Sequence, residues 1–200
     1  MRKKLILASA SPRRKALLTQ AGFDFQILAA NADENIAEKE PEQMVQMLSQ
    51  RKAGASMDVW QKQGNAADDI LVLGADTIVV QDHTILGKPG SRKEAADMLR
   101  KLQGTAHSVY TGVTLLWKND RMETERITFA EKTTVEFYPM SEEEILEYTE
   151  TGECDDKAGA YAIQGLAMKY IRKIDGDYHN VVGLPVAAIY QAMREYGLEF

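Results

Sequence analysis

The sequence predicts a mixed α/β fold with long antiparallel strands in its middle, on two observations. Residues 5–27 have the pattern of a buried strand, a helix and a half-buried strand in succession. Residues 109–117 and 128–137 are rich in β-branched and aromatic side chains, as is typical of long strands, and we expect them to pair as a hairpin. Strands that alternate with helices, together with an antiparallel pair, indicate a mixed α/β architecture.

The first strand is the apolar run at residues 5–8, and Ser11 followed by Pro12 is typical of a helix N-cap and first helical position. We predict this helix over residues 12–21, because Gly22 can adopt a left-handed C-terminal conformation and one face repeats at the helical spacing. That face consists of Arg14, Leu17, Leu18 and Ala21. The half-buried strand that follows alternates polar residues with Phe23, Phe25 and Ile27.

A second helix is predicted to begin at Pro41, with Val45 and Leu48 on its inner face. Lys52 lies one turn further along that face and is expected to point toward the protein. Three more helices are expected: one ends near Gly104, one opens with a Ser141 capping box, and the last follows residue 185. The inner face of the last helix is predicted to consist of Val186, Ile189, Tyr190 and Met193.

Composition limits the classes of function. A chain of 200 residues with 44% hydrophobic content can form one domain or two joined lobes, and its net charge of -6 argues against broad binding to nucleic acids or anionic membranes. Cys154 is the only cysteine, so no intrachain disulfide can form, and we expect a reducing, cytoplasmic location. The sequence shows neither a signal-peptide core nor a membrane-spanning run.

The letters SASPRR place Ser9, Ser11, Arg13 and Arg14 at a predicted helix N-terminus. Backbone N–H groups and the helix dipole favour anions there, so this segment is a candidate phosphate site. The alternative is that Ser11 only caps the helix and the arginines form a solvated face.

Asp76, in the letters GADT, stands between two apolar runs and is expected inside a buried sheet. A buried carboxylate costs several kcal/mol unless it is paired or binds a metal, which favours a functional role. The alternative is a structural carboxylate that caps a turn or pairs with a buried lysine.

Two glycine-rich loops carry further candidates. Lys88, in GKPG, can reach a phosphate as a point charge, although the surrounding letters do not form a Walker A motif. Lys157 and Gln164 belong to the segment DKAGAYAIQG, where Gln164 can hydrogen-bond to a base edge. Judged alone, this segment is more simply an ordinary turn with a surface ion pair. The three histidines show no spacing typical of a zinc site.

These clusters, taken together and in order, resemble the Maf family of nucleotide pyrophosphatases. The resemblance also covers RKA, MLRKLQGTAHSVYTGV and IDGDYHNVVGLP, and thus nearly the whole chain. It implies one domain over residues 1–200 with an elongated, twisted mixed sheet and two lobes that flank a central cleft, similar to the inosine triphosphate pyrophosphatase fold. It also implies hydrolysis of dTTP and UTP between the α and β phosphates.

The resemblance carries roles to individual residues. It implies that Asp76 accepts a proton, that Lys52 and Lys88 act with it in catalysis, and that substrate is bound by Ser9, Ser11, Arg13, Arg14 and Lys157. Specificity is implied for Arg13, Thr77 and Gln164. A divalent cation, Mg²⁺ or Mn²⁺, is expected near Asp76, Glu34 and Asp33.

Our hypothesis is that Asp76 orients or deprotonates a water that attacks the α phosphorus, while the cations offset phosphate charge. Exclusion of modified nucleotides from nucleic acids and a link to cell-division arrest are possible roles. A nucleoside triphosphate is the expected partner, with no stable nucleic-acid or membrane binding and with a homodimer as a possible assembly. Two alternatives are a non-catalytic, nucleotide-binding regulator of septum formation and a phosphatase that removes only the terminal phosphate.

Two departures from the family pattern concern one loop. Residues 166–168 follow Gly165 where many relatives have a second glycine, and Cys154 stands near a position where relatives often carry proline. Both changes bear on the conformation of the loop and leave the charged set untouched.

Overall fold

The computed structural model describes residues 3–38, 40–64, 70–119 and 121–198. Strands and helices alternate over the first half, and longer strands follow, as predicted. The strands are β1 (Lys4–Leu7), β2 (Phe25–Ile27), β3 (Ile70–Gln81), β4 (Thr84–Leu86), β5 (Ala106–Lys118), β6 (Thr124–Phe137) and β7 (Ile171–Asp175). The helices are α1 (Pro12–Gln20), α2 (Pro41–Lys62), α3 (Arg92–Leu102), α4 (Glu142–Glu150), α5 (Tyr178–Val182) and α6 (Val186–Glu195), with two short 3-10 helices at Ala158–Ala160 and Leu166–Tyr170.

The seven strands form one mixed sheet. Its order is β2-β1-β3-β5-β6-β7, and β4 pairs with β3 outside this path. Strand β1 is parallel to both β2 and β3, whereas β3 is antiparallel to β4 and β6 is antiparallel to β7. The predicted α/β class with a mixed sheet is therefore confirmed, as is the pairing of β5 with β6.

The chain divides into two compact units. Unit 1 comprises residues 1–76, 111–131 and 183–200, and unit 2 comprises residues 77–110 and 132–182. The division falls within β3, between Asp76 and Thr77. The single domain with a cleft between two lobes stays a prediction.

The core of unit 1 forms between β1, β3 and one face of α2. Buried residues from these elements include Ile6, Ala53, Met57, Ile70 and Val72. Parallel strands covered on both faces are apolar at successive positions, and β1 and β3 follow this rule. The inner face predicted for α2 is confirmed, because Val45 and Leu48 are buried.

Helix α2 lies unusually close to two strands of unit 1. A Cβ atom at Gly74 in β3 would fall 2.3 Å from the carbonyl oxygen of Ser49, and one at Gly112 in β5 would fall 2.1 Å from that of Val45. Neither glycine has a positive φ, so the requirement at both positions is for space. The two glycines thereby fix the height of α2 above the sheet.

Unit 2 contains a tight hairpin and two capped helices. Asp82 and His83, with φ of 47° and 63°, connect β3 to β4 as a two-residue turn. Helix α4 begins with the predicted capping box, in which Ser141 accepts from the Glu144 N–H and Glu144 accepts from the Ser141 N–H. Gly152, at φ 77°, follows the end of α4 as expected.

Some predicted details were wrong. The half-buried strand is short, and Ile27 is 46% exposed, because β2 is the edge strand of the sheet that the described residues form. Tyr190 is exposed rather than on the inner face of α6, and the Arg194 guanidinium lies over its ring. The expectation that Asp76 lies inside the sheet is confirmed, because β3 continues through the GADT letters.

No helix in the described part of the chain is both long enough and apolar enough to cross a bilayer.

Candidate functional site

Helix α1 begins directly after β1 and carries the first group of predicted site residues. Ser11 occupies the N-cap position in an extended conformation, yet within residues 3–38 its hydroxyl caps no N–H of the helix. Pro12, Arg13 and Arg14 make up the first turn, which therefore has no acidic side chain. A helix start without an acidic side chain or a side-chain cap keeps its attraction for an external anion.

Arg14 is buried, with 9% exposure, and is held by protein groups. Its Nε donates to the Gly183 carbonyl at 2.8 Å, and its Nη1 donates to the Ala75 carbonyl at 2.9 Å and to Ser9 Oγ at 3.2 Å. Burial lowers the pKa of Arg14, and the nearby Asp76 carboxylate partly opposes this shift. Arg14 thus fixes the start of α1 to β3, and Ser9 also accepts from the Ser11 N–H at 3.2 Å.

Lys52 joins two carboxylates in unit 1. Its ammonium lies 2.5 Å from Asp76 Oδ1 and 2.9 Å from Glu34 Oε1. Only 21% of the Lys52 side chain and 14% of the Asp76 side chain are exposed, against 65% for Glu34. The prediction that Lys52 points toward the protein is confirmed, and the clearance at Gly74 brings α2 close enough for this contact.

The Lys52–Asp76 pair alone would fit the structural alternative, because ion pairs also stabilise folds. Glu34 adds a second carboxylate to the same ammonium, and the buried Arg14 also interacts with Asp76. Two carboxylates at one place are oxygen ligands of the kind that a divalent cation uses together with substrate phosphates.

Asp33 is bound to a different partner. Arg51 Nη1 donates to the carbonyl oxygens of Asp33 at 2.8 Å and Asn35 at 2.9 Å, and it lies 3.4 Å from the Asp33 carboxylate. Arg51 therefore holds the segment that presents Glu34. This role of Arg51 was not predicted from the sequence, although Arg51 stands next to Lys52.

The residues present can be compared with the needs of a divalent cation. In the parts of the chain that are described, no group of three or more His, Cys, Asp or Glu side chains could hold a metal. Asp33, Glu34 and Asp76 thus do not form a three-ligand set. Mg²⁺ commonly uses one or two protein carboxylates together with substrate phosphates, and Asp76 with Glu34 fits that need.

The remaining predicted site residues belong to unit 2. Lys88 and Gln164 are exposed and Thr77 is half-buried. Lys157 Nζ donates to the Glu153 carbonyl at 3.2 Å and pairs with the Asp156 carboxylate, as the predicted turn with an ion pair implies. The loops that carry Lys88 and Lys157 are joined, because the Gly159 N–H donates to the Gly87 carbonyl at 3.1 Å.

Two further polar residues of unit 2 were not singled out from the sequence. Glu153 accepts from the Tyr148 hydroxyl at 2.8 Å and from the Leu166 N–H at 3.0 Å. The only available signal was a glutamate directly after the glycine that ends α4.

The two departures from the family pattern also lie in unit 2. Residues 166–168, which replace the second glycine of many relatives, begin a 3-10 helix. Cys154 is a buried free thiol whose pKa is raised by burial.

Two solved structures match nearly the whole chain at low sequence identity. The Ham1 protein of Staphylococcus aureus is 12% identical with a TM-score of 0.44, and the match covers 98% of this chain and 100% of that one. A nucleoside-triphosphatase / dITP/XTP pyrophosphatase from Mycobacterium abscessus is 11% identical with a TM-score of 0.41, and the match covers 97% of each chain.

Curated relatives are far more similar. A dTTP/UTP pyrophosphatase of Geobacillus sp. (strain WCH70) is 50% identical over 98% of this chain and 99% of its own length. Proteins of the same name from Agathobacter rectalis, 46% identical over 98% of both chains, and Bacillus velezensis, 45% identical over 100% of both, are also similar. The family model described as Maf-like protein matches residues 4–196. The chain therefore belongs to the Maf family.

Proposed function

We propose that this protein is a nucleoside triphosphate pyrophosphatase that converts dTTP and UTP to the monophosphate and pyrophosphate. The observation that carries the proposal is the contact of one ammonium, that of Lys52, with the carboxylates of Asp76 and Glu34. The choice of dTTP and UTP as substrates is supported by the names of relatives that are 45 to 50% identical over nearly their whole length.

Asp76 is the proposed proton acceptor. Its carboxylate is largely shielded, and Lys52 holds one of its oxygens at 2.5 Å, so the carboxylate has a fixed direction. In that position it can orient a water and accept its proton as the water attacks the α phosphorus. Lys52 is expected to turn toward the phosphates when substrate binds, because Glu34 is an exposed and easily replaced partner.

Asp76 and Glu34 are the residues that would hold Mg²⁺ or Mn²⁺. When bound, such an ion neutralises phosphate charge and favours departure of pyrophosphate. Arg51 contributes by holding residues 33–35, and thereby the direction from which Glu34 approaches.

The start of α1 is the proposed phosphate-binding element of unit 1. Ser11 and the half-exposed Arg13 stand there with the first backbone N–H groups of the helix, and Arg14 is proposed to position this segment through its bonds to Gly183 and Ala75. Ser9 is proposed to assist by fixing Arg14. Lys88 and Lys157 remain proposed phosphate contacts, and Arg13, Thr77 and Gln164 remain proposed determinants of base selection.

Product identification tests the proposal. Purified protein is incubated with each common NTP and dNTP in Mg²⁺ or Mn²⁺, and the nucleotide and phosphate products are separated. We expect monophosphate and pyrophosphate, with dTTP and UTP turned over best. Orthophosphate with a diphosphate would instead indicate a terminal phosphatase, and saturable binding without turnover would indicate a regulator. A preference for GTP or ATP would contradict the roles of Arg13, Thr77 and Gln164.

We also propose a cytoplasmic location, in keeping with one buried free cysteine, and a homodimer as the assembly. Sedimentation at several protein concentrations tests the homodimer, and a monomer at all of them would contradict it. Exclusion of modified nucleotides is tested by adding them to the same product assay.

A further inference from the structure

The segment that carries Gln164 is a short turn in unit 2. The Gly165 N–H donates to the Ala162 carbonyl at 3.1 Å and closes the turn, and the 3-10 helix Leu166–Tyr170 follows at once. Gln164 is exposed at its tip. One backbone bond across a turn does not fix its direction, so neighbouring side chains decide where Gln164 stands.

Two side chains hold this turn at both of its ends. The Tyr148 hydroxyl accepts from the Ala162 N–H at 3.1 Å, and Glu153 Oε1 accepts from the Leu166 N–H at 3.0 Å. The two side chains are joined, because the Tyr148 hydroxyl donates to Glu153 Oε2 at 2.8 Å. The result is a closed bracket of three hydrogen bonds around Gln164.

The backbone of the turn is shaped for the carboxylate. A Cβ atom at Gly165 would fall 1.9 Å from Glu153 Oε1 and 2.3 Å from its carboxyl carbon. Because these atoms are the far end of a side chain, a Cβ at position 165 would push the Glu153 carboxylate away from the Leu166 N–H. The glycine therefore allows Glu153 to keep its bonded position.

The bonding pattern requires a charged glutamate and a neutral tyrosine. A carboxylate can accept both bonds, whereas a glutamine has one acceptor oxygen and would leave the Tyr148 proton without a partner. Burial raises the pKa of the Tyr148 hydroxyl, and the Glu153 carboxylate raises it further, so the hydroxyl stays a donor at neutral pH.

We propose that Tyr148 and Glu153 are positioning residues for nucleobase selection, which they exert by fixing the turn on which Gln164 stands. The inference rests on the proposed function, since it assumes that Gln164 meets the base. It adds two residues that touch neither the phosphates nor the reacting atoms. Lys157, bonded to the Glu153 main-chain carbonyl, connects the same bracket to a proposed phosphate contact.

The test compares UTP with CTP, which differ at the base edge and share the same sugar and triphosphate. Tyr148→Phe removes two of the three bonds, and we expect the ratio of kcat/KM for UTP to that for CTP to fall about tenfold or more, a size typical of losing one oriented polar contact. Glu153→Gln keeps the shape and should cause a smaller fall. In a Gln164→Ala background the Tyr148→Phe change should leave the ratio unaltered, because the two residues act through one contact.

Glu150→Gln is the matched control, because Glu150 is on the same helix, is 79% exposed and pairs with Arg92 instead of the turn. Thermal unfolding of every variant separates misfolding from misplacement, and Glu153→Gln serves if Tyr148→Phe does not fold. An equal loss of kcat/KM for both nucleotides, with the ratio unchanged, would show a merely structural role and overturn the inference.

Failure of the proposed function has a different outcome. If the wild type releases no pyrophosphate, the same ratio is read from the binding of α,β-methylene analogues of UTP and CTP, which need no turnover. A fall of that ratio in Tyr148→Phe would support the bracket even though the enzyme proposal had failed. A wild type that discriminates neither in turnover nor in binding would overturn both.

Discussion

Helices α1 and α4 both begin at a serine, but the two serines do different things. Ser141 and Glu144 close a reciprocal capping box, and the first turn of α4 contains three glutamates that complement the helix dipole. Ser11 makes no such bond within residues 3–38, and two arginines follow it. The same residue type thus stabilises one helix start and leaves the other without a side-chain cap.

The charged side chains at the two helix starts differ as the caps do. At α4 the exposed Glu142 pairs with Arg100, so the site is balanced in the absence of any ligand. At α1 the first turn carries two arginines and no acidic side chain, and Arg14 is compensated by the Ala75 and Gly183 carbonyls and the nearby Asp76. The start of α1 is therefore stabilised by contacts with distant segments and has no side-chain cap, an arrangement that suits anion binding.

The largest expected effect concerns Asp76, next to the Ala75 carbonyl that holds Arg14 at the start of α1. Asp76→Asn removes the proposed proton acceptor and should lower kcat for UTP by about 10²-fold or more. Pyrophosphate release under saturating UTP measures the change. Asp97→Asn, which removes a carboxylate from the Arg100 cluster beside α4, is the control and should keep full activity. Near-normal turnover by Asp76→Asn would contradict the proposed role of Asp76 as proton acceptor.

The second prediction separates the two arginines of α1. Arg14→Met leaves the Ala75 and Gly183 carbonyls without their buried donor and should lower the free energy of unfolding by about 3 kcal/mol. Arg13→Met affects a half-exposed side chain and should mainly raise KM for UTP. Urea unfolding and steady-state kinetics measure both variants. Equal destabilisation by the two changes would contradict the division of roles.

The third prediction concerns a buried histidine of unit 2 and the pH dependence of stability. His107 is buried against Tyr161, and burial lowers the pKa of His107 to about 4. Because the ordinary pKa in the unfolded chain is about 6.5, the unfolded state binds the extra proton, and stability should fall by about 2 kcal/mol as the pH drops from about 7 to about 4.5.

The measurement is urea unfolding across that pH window. His107→Gln should flatten the dependence, because glutamine does not titrate. A wild-type stability that stays constant between the two pH values would contradict the role of His107.

The smallest effect is the most direct test of the two helix starts. Ser141→Ala should lower the free energy of unfolding by about 1 kcal/mol through loss of the cap, with unchanged turnover. Ser11→Ala should change stability by less than about 0.5 kcal/mol, because no cap bond is lost, and should raise KM for UTP. Thermal unfolding and steady-state kinetics of the two variants measure these effects. A larger loss of stability in Ser11→Ala than in Ser141→Ala would contradict the assignment of the caps.

Features with local causes could be predicted from the sequence. The capping box at Ser141 and the inward direction of Lys52 follow from spacings of a few residues. Contacts between distant segments could not be predicted, since Arg14 reaches a carbonyl 169 residues away and the Glu34 contact depends on Arg51. The amphipathic pattern of the last helix also included Tyr190, which is exposed. The helical period alone does not tell where the buried face of a helix ends.

Gly74 illustrates the same limit. It stands within an apolar run, β3 passes through it, and the absence of a side chain makes room for α2, a role that the letters around it do not indicate. The need for a glycine at this position comes from α2, which is not adjacent to it in the sequence.

The narrow gap between α2 and the strands has a genetic consequence. Every single-nucleotide change at the first or second base of a glycine codon installs a side chain or a stop, and at Gly74 or Gly112 that side chain would enter a backbone carbonyl of α2. Point mutation at these two codons therefore has only silent, third-base outcomes that keep Lys52 beside Asp76, and random libraries aimed at new nucleotide preferences gain by leaving both codons fixed.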